Sequence, residues 1–336
     1  MEVIAGGFHR VFPIDDASRV GEARRHGAVL TSQLGWSDVD AGRLSLVINE
    51  LGTNLHRHAR RGRLLVSSQP LADEVEVISI DEGPGINDLE RCMRDGYSTG
   101  GTPGTGLGTV KRQAQDFDIH SSIPHGTVAV ARVRRGAARE RSIAFGAISV
   151  CAPGEVACGD GWSVCVDETR GSVMLADGLG HGPDASIAAK AALAVFEREP
   201  FGALAPMLQE AHTELRTTRG AAVFALKLDM EANTIRSAGA GNVVARLISG
   251  VTDKSLLSQH GTVGIQIRRV EEIASDWPPH ALLIVHSDGI ETRWSTDLLM
   301  PVLGRDPALV AAILLRDHCR GRDDATVVVL KRSRSR

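Results

Sequence analysis

The chain has 336 residues, of which 43% are hydrophobic and 24% are charged, and its formal net charge is −3. This length suffices for two domains with separate cores, and the composition excludes a disordered or fibrous protein. The sequence has no apolar run near the ~20 residues of a membrane-spanning helix, no N-terminal export signal and no excess of basic residues, so we expect a cytoplasmic protein that binds neither membrane nor nucleic acid.

Patterns in the N-terminal part alternate between strand and helix. Val3 to Phe12 predicts a strand, and Asp15 to Leu34 predicts a helix. Ser37 with Asp40 resembles a capping box, which predicts a second helix that ends near Ala59.

The second helix carries a polar pair. Glu50 and Asn54 are four residues apart, so they share one side of the helix, along the edge of its apolar stripe. Such a pair is commonplace on solvated helices, so it indicates a site only if other segments of the chain supply matching groups.

Two glycine-containing segments lie further along the chain. A strand from Val75 to Ile80 delivers Asp81, which can accept a hydrogen bond from the exocyclic amine of adenine. Gly83 and Gly85 allow a flat ligand to approach the backbone closely. The glycine-rich stretch 100–108 then precedes a predicted helix that reaches residue 115, and the N–H groups at a helix start suit phosphates.

This order resembles the N, G1 and G2 boxes of the GHKL (Bergerat) ATPases, and residues 81–127, including 95–99, are similar to the RsbT type of switch kinase. The resemblance implies an α/β sandwich that binds ATP and Mg²⁺. It implies that Glu50 is the catalytic carboxylate, that Asn54 holds Mg²⁺ and that Asp81 reads adenine. The other nucleotide-binding positions that it implies are Gly83, Gly85, Gly104, Thr105, Gly106, Leu107, Gly108 and Thr127.

A charged segment without apolar periodicity, residues 134–141, is the predicted domain boundary. We therefore expect an α+β protein with a first domain at residues 1–135, a linker at 136–141 and a second domain at 142–332.

The second domain places aspartates next to predicted strand ends, for example after residues 173–176 and 282–286. Each Asp-Gly pair alone is more often a turn. Carboxylates gathered from separate strand ends, however, suit hard divalent cations such as Mg²⁺ or Mn²⁺ better than they suit zinc. The candidates are Asp160, Asp177, Asp288 and Asp323.

The ordered set resembles the PPM (PP2C-like) phosphatases of the SpoIIE/RsbX branch, and residues 177–182 and 321–326 are its most specific motifs. The resemblance implies an α-β-β-α sandwich with two Mn²⁺ or Mg²⁺ ions. It ranks Asp324 lower as a ligand and assigns no general acid. His181 is a candidate for that role by its motif position, but we favour its interpretation as a capping or packing residue, and we interpret 238–242 as a structural turn. The implied metal ligands are Asp160, Asp177, the carbonyl of Gly178, Asp288 and Asp323.

Three cysteines, Cys151, Cys158 and Cys165, recur every seven residues. This is not the close-paired spacing of zinc sites, so we interpret all three as small buried residues.

Together the two resemblances imply a bifunctional partner-switching regulator, which phosphorylates Ser or Thr on a STAS-domain protein and removes phosphate in the same pathway. An alternative makes the first domain an ATP-dependent binding module for a sigma factor or a downstream phosphatase. In a third hypothesis, one domain regulates the other. The oligomeric state and the identity of the phosphorylated residue stay open.

Overall fold

The structure, a computed structural model, describes residues 2–93, 106–137 and 140–333. It divides into two compact units, His9–Arg139 and a larger one that joins Met1–Phe8 to Glu140–Arg336. Across the described residues, every helix is too short or too polar to cross a membrane.

The smaller unit is a two-layer sandwich of helices on a five-stranded antiparallel sheet. After β1 (Glu2–Ala5), which belongs to the larger unit, its elements are β2 (Arg10–Pro13), α1 (Ala17–Gln33), α2 (Asp38–His58), β3 (Arg63–Gln69), a 3₁₀ turn (Pro70–Ala72), β4 (Glu74–Ile80), α3 (Leu89–Cys92), α4 (Gly106–Gln113), β5 (Asp116–Ser122) and β6 (Gly126–Arg134). The strand order is β2-β3-β4-β6-β5, and the core lies between this sheet and helices α1, α2 and α4.

Local signals set the limits of α2. The Ser37 hydroxyl accepts a hydrogen bond from the Asp40 N–H at 3.2 Å, and the chain leaves the helix at Ala59. The predicted helix start is therefore confirmed, with Ser37 as its N-cap. An apolar stripe that includes Val47, Ile48 and Leu51 is buried against the sheet and keeps the opposite side of α2 polar.

The larger unit has four layers, α-β-β-α. Its remaining elements are β7 (Ile143–Val150), β8 (Asp160–Val166), β9 (Arg170–Gly178), α5 (Pro183–Arg198), α6 (Leu204–Glu214), β10 (Ala221–Asp229), β11 (Thr234–Ala240), β12 (Val244–Ile248), β13 (Asp253–Leu256), β14 (Gly261–Thr262), β15 (Gln266–Ile267), β16 (Ile273–Asp276), β17 (Leu282–His286), α7 (Pro307–His318) and β18 (Ala325–Arg332), with 3₁₀ turns at Leu215–Thr217, Thr296–Leu298 and Met300–Val302.

Two antiparallel sheets form its centre, in the orders β1-β8-β9-β10-β11-β16 and β13-β12-β17-β18-β7. The core between them includes Trp162 and Phe224 from the first sheet and Leu283 and Val328 from the second. Helices α5 and α6 cover the outer face of the first sheet, and α7 packs on β7 and β18. The predicted two-domain fold class, with a helix-and-sheet sandwich followed by an α-β-β-α sandwich, is confirmed.

The predicted strand from Val3 to Phe12 is wrong, because it is two strands in different units. β1 pairs with β8, and Gly6 ends this pairing by donating its N–H to the Trp162 carbonyl at 3.0 Å. A Cβ at Gly6 would lie 1.8 Å from the Trp162 ring, so the chain passes where a side chain has no room. The predicted first-domain range, 1–135, therefore differs from the division of the structure, in which Glu2–Ala5 adds a strand to a sheet of the larger unit.

Candidate nucleotide site and metal centre

In the smaller unit, α2 brings the predicted polar pair to the start of α4. Glu50 and Asn54 are both half-buried. A Cβ built on Gly106 would lie 3.1 Å from Glu50 Oε2 and 3.6 Å from the Asn54 side chain, so the first turn of α4 lies directly against both groups. The positive end of the α4 dipole favours a carboxylate or a phosphate at this position.

The end of β4 positions Asp81. Its N–H donates to the Thr127 carbonyl at 3.0 Å, and its Oδ1 accepts a hydrogen bond from the Gly83 N–H at 2.7 Å. The predicted adenine-reading group and the predicted supporting threonine are therefore direct neighbours, on adjacent strands of the sheet.

Two glycines in the turns beside Asp81 have positive φ and tight surroundings. Gly85 has φ +79°, and a Cβ there would lie 2.7 Å from the Ser122 carbonyl oxygen. Gly126 has φ +91°, and its Cβ would lie 2.2 Å from the Asp81 carbonyl oxygen. Sequence reasoning named Gly85 but missed Gly126, although the turn just before Thr127 was a usable signal.

The predicted phosphate lid is described only in part. Gly104 and Thr105 lie outside the described residues, as does the segment 95–99. The other three lid positions form the first turn of α4: Gly106 faces Glu50, Leu107 packs against the core, and Gly108 is buried. The helix predicted to reach residue 115 ends at Gln113.

In the larger unit, strand pairing brings the first two predicted metal ligands together. Asp160 begins β8 and lies opposite Asp177 near the end of β9. Gly178 comes next, and a Cβ there would lie 2.1 Å from the Ala185 carbonyl oxygen, so α5 packs closely against this strand end.

The second sheet supplies the other two predicted metal ligands, Asp288 and Asp323. Asp288 comes after β17 and Asp323 precedes β18, and both line a cleft of about 520 Å³ together with Asp177. Asp160 is buried behind them and accepts a hydrogen bond from the Ser287 hydroxyl at 2.6 Å. Four aspartates that are up to 163 residues apart in sequence, since 323 − 160 = 163, thus meet at one edge of the two sheets.

Burial and mutual repulsion make it unfavourable for these aspartates to be ionised together without a bound cation. Burial, and then the carboxylates of Asp160, Asp288 and Asp323, raise the pKa of Asp177 to about 9. Burial raises the pKa of Asp160 to about 7 and also raises that of Asp288. Oxygen donors that repel each other in this way fit hard divalent cations, which offset the repulsion.

The cleft also contains two residues whose role sequence reasoning missed. Asn242 Nδ2 donates to Asp288 Oδ2 at 2.7 Å, so the turn 238–242, interpreted as structural, ends on a side chain that orients a predicted ligand. His260 lines the same cleft. No motif marks His260, and only the fold brings it to the cleft that Asp177 and Asp288 also line.

His181 and Asp324, which were not assigned as metal ligands, both contact neighbouring residues. His181 is 58% exposed at its side chain, and its Nδ1 lies 2.7 Å from Glu155 Oε1. Asp324 is buried, and its Oδ1 accepts a hydrogen bond from the Ala152 N–H at 2.8 Å.

Comparison with known proteins gives one family match in each of the two units. A family model described as histidine kinase-like ATPase domain matches residues 12–133, and one described as stage II sporulation protein E (SpoIIE) matches residues 167–333. The serine/threonine-protein kinase RsbT of Bacillus subtilis (strain 168) is 36% identical over 109 residues, which are 31% of this chain and 80% of that protein.

Two solved structures are also similar. One, described as the bacterial stressosome, a modular system adapted to control secondary messenger signaling, is 27% identical with a TM-score of 0.54 and covers 56% of this chain and 99% of its own. The other, RsbX in complex with magnesium, is 20% identical with a TM-score of 0.52 and covers 59% of this chain and 98% of its own. The likeness to RsbX concerns the fold.

Proposed function

We propose that this chain, which belongs to the family of the serine/threonine-protein kinase RsbT and continues into a SpoIIE-type, PP2C-like domain, both adds phosphate to a protein partner and removes it. The proposed partner is a STAS-domain protein with a reactive Ser or Thr, and the pathway is partner switching. The observation that carries the proposal is that one chain holds both the Glu50–Asn54 pair against α4 and a cleft ringed by aspartates.

In the proposed kinase site, bound ATP with Mg²⁺ supplies the phosphoryl group. Asn54 holds the cation and Asp81 accepts a hydrogen bond from the adenine amine. Glu50 orients the attacking hydroxyl and accepts its proton. Its position on α2, against the first turn of α4, supports this role. Phosphoryl transfer requires mainly positioning and charge stabilisation, so these few groups suffice.

In the proposed phosphatase site, a pair of Mn²⁺ or Mg²⁺ ions supplies an activated water and braces the phosphate. Asp160, Asp177, the Gly178 carbonyl, Asp288 and Asp323 hold the ions, and Asn242 keeps Asp288 oriented. The proposed donor of a proton to the departing Ser or Thr oxygen is His260, which lines the cleft, whereas His181 contacts Glu155.

Two variants test the proposal with purified full-length chain, ATP and candidate STAS-domain proteins. Glu50→Gln is expected to lower phosphate transfer by about 10²–10⁴-fold and to leave phosphate release unchanged. Asp177→Asn is expected to lower phosphate release at least about 100-fold and to leave transfer unchanged. Exposed Glu90→Gln and Asp276→Asn are the matched controls. Wild-type rates in both test variants would refute the assignment.

The alternative, an ATP-dependent binding module, draws support from the backbone character of the nucleotide site, where Gly85 and Gly126 shape the turns around Asp81. Such a module binds a sigma factor or a downstream phosphatase in its nucleotide-bound form. Capture of these partners by a Glu50→Ala chain discriminates between the two functions. Full regulation of the partner without phosphate transfer favours the binding module, and loss of regulation along with transfer favours the kinase.

A further inference from the structure

The loop between β7 and β8 returns two cysteines to one place. The Sγ atoms of Cys151 and Cys158 and a carboxylate oxygen of Asp324 all lie within 4.8 Å of one another. The spacing of seven residues, which argues against zinc in an extended chain, does not apply here because the loop folds back on itself. Cys165, the third cysteine of that series, is buried instead in the core beneath α5 and α6.

Asp324 has an oxygen directed into this group. The residue is 3% exposed, and its Oδ1 accepts the Ala152 N–H. Its Oδ2 is buried without a hydrogen bond of good geometry, although the Cys158 thiol and the Gly159 N–H lie near it. A buried carboxylate oxygen in that state is costly, and a cation would offset the cost.

The two thiols differ in character. Cys151 is half-buried and Cys158 is 4% exposed, with its Sγ 3.2 Å from the Ser149 hydroxyl. Cys151 therefore lies on the side of the group that solvent reaches.

We propose that Cys151, Cys158 and Asp324 form a binding site for Zn²⁺, separate in chemistry from the aspartate cleft. Two thiolates and one carboxylate are ligands of tetrahedral zinc, and a water on the Cys151 side completes the four. With Zn–S bonds near 2.3 Å, tetrahedral geometry places the sulfurs roughly 3.8 Å apart, which is compatible with a group whose ligand atoms lie within 4.8 Å of one another. Both thiol protons pass to solvent on binding.

Donor type separates this site from the proposed catalytic ions. The cleft offers oxygen, which suits Mg²⁺ and Mn²⁺, whereas sulfur favours zinc. The inference rests on the three side chains alone and stands whether or not the chain is a phosphatase. The sites are nonetheless linked, because the Asp324 N–H donates to Asp323 Oδ1 at 2.9 Å.

Cobalt(II) is the probe, because thiolate ligands give it a near-ultraviolet charge-transfer band that oxygen ligands do not. The full-length chain is reduced, stripped of metal and titrated with Co²⁺ and then Zn²⁺. We expect one thiolate-bound Co²⁺ that Zn²⁺ displaces. Cys151→Ser and Cys158→Ser should each weaken Zn²⁺ binding at least about tenfold and reduce the band. Cys319→Ser, at a half-buried cysteine of the same unit, should leave both unchanged.

Asp324→Asn is the second arm, because it preserves both thiols. It should keep a charge-transfer band and weaken Zn²⁺ binding at least about tenfold. Circular dichroism establishes that each variant is folded, and half-exposed Cys151 carries the test if Cys158→Ser does not fold. Absence of the band in wild type, an undiminished band in Cys151→Ser, or a Cys151–Cys158 disulfide in place of bound metal would each overturn the zinc site.

Discussion

The two candidate sites are built in opposite ways. The nucleotide site is shaped by backbone, since the turns beside Asp81 depend on Gly85 and Gly126, and the Glu50 carboxylate lies against the start of α4. The metal centre is shaped by side chains, because four aspartates from two sheets converge on one edge, where burial and the neighbouring carboxylates raise the pKa of Asp177.

The difference shows where each site is vulnerable. A site whose turns are shaped by backbone is sensitive to any Cβ added at those turns. A site made of like charges tolerates small changes in shape but depends on its cations and on the groups that orient its ligands. Variants at each site test this difference, and we expect the largest loss of binding and stability at a glycine of the nucleotide site.

Gly126→Ala attacks the backbone-shaped site. The new Cβ would lie 2.2 Å from the Asp81 carbonyl oxygen at φ +91°, so we expect loss of nucleotide binding and about 2–4 kcal/mol less stability. The matched control is Gly35→Ala, where φ is +64° but no atom lies within 4 Å, and it should cost only about 1 kcal/mol. Calorimetric ATP titration and denaturant unfolding measure both. Equal losses of stability in the two variants would mean that the cost comes from the positive φ and not from the close approach of the new Cβ to the Asp81 carbonyl.

The same contrast explains how far the sequence alone could predict this molecule. The helix α2 and the strand β17 follow from a capping residue and from a short apolar run, because those signals are local. The sequence does not predict that the strand Val3 to Phe12 is two strands, because apolar and polar residues alternate in the same way in both pieces. Only the pairing of β1 with β8 separates them.

For the sites, motif order named the aspartates of the cleft and the Glu50–Asn54 pair. It could not find His260, which has no motif and reaches the cleft through the fold. It also could not join Cys151 to Cys158, because spacing in sequence does not reveal a loop that folds back.

His260→Gln tests whether the charge-crowded site also needs a proton donor. We expect the kcat for phosphoserine hydrolysis to fall about 100-fold, because the serine oxygen would leave without a proton. An aryl phosphate, whose leaving group needs no proton, should be affected much less. His181→Gln is the control, since that side chain contacts Glu155. A leaving-group-dependent loss in His181→Gln alone would transfer the role to His181.

Asn242→Ala tests whether metal binding depends on the orientation of Asp288, in addition to the negative charge of the aspartates. Removing the amide frees Asp288 from its 2.7 Å hydrogen bond, so we expect Mn²⁺ to bind about 10–100-fold more weakly. The Mn²⁺ dependence of phosphate release gives this value. Exposed Asn87→Ala, in the other unit, should behave as wild type. An unchanged Mn²⁺ requirement would show that Asp288 is oriented by other groups.

Without bound metal, the stability of the larger unit is expected to depend on pH. The folded-state pKa of Asp177 is raised to about 9, so between the ordinary aspartate value of about 3.9 and about 9 the folded state binds more protons than the unfolded state. The stability that protonation of Asp177 contributes is therefore complete below the lower value and is lost as the pH rises through about 9. Thermal unfolding of the metal-free chain between about pH 6 and pH 9 should show a midpoint that falls by several degrees.

Asp177→Asn cannot ionise and should flatten this fall, whereas exposed Asp276→Asn should retain it. Saturating Mn²⁺ should reverse the trend in wild type, because cation binding requires the carboxylates that high pH provides. The nucleotide unit has no comparable cluster among its described residues 9–93 and 106–137, so ATP-induced stabilisation of that unit should vary little over the same pH range. A similar slope in Asp177→Asn and wild type would show that the aspartate cluster is not the source of the pH dependence.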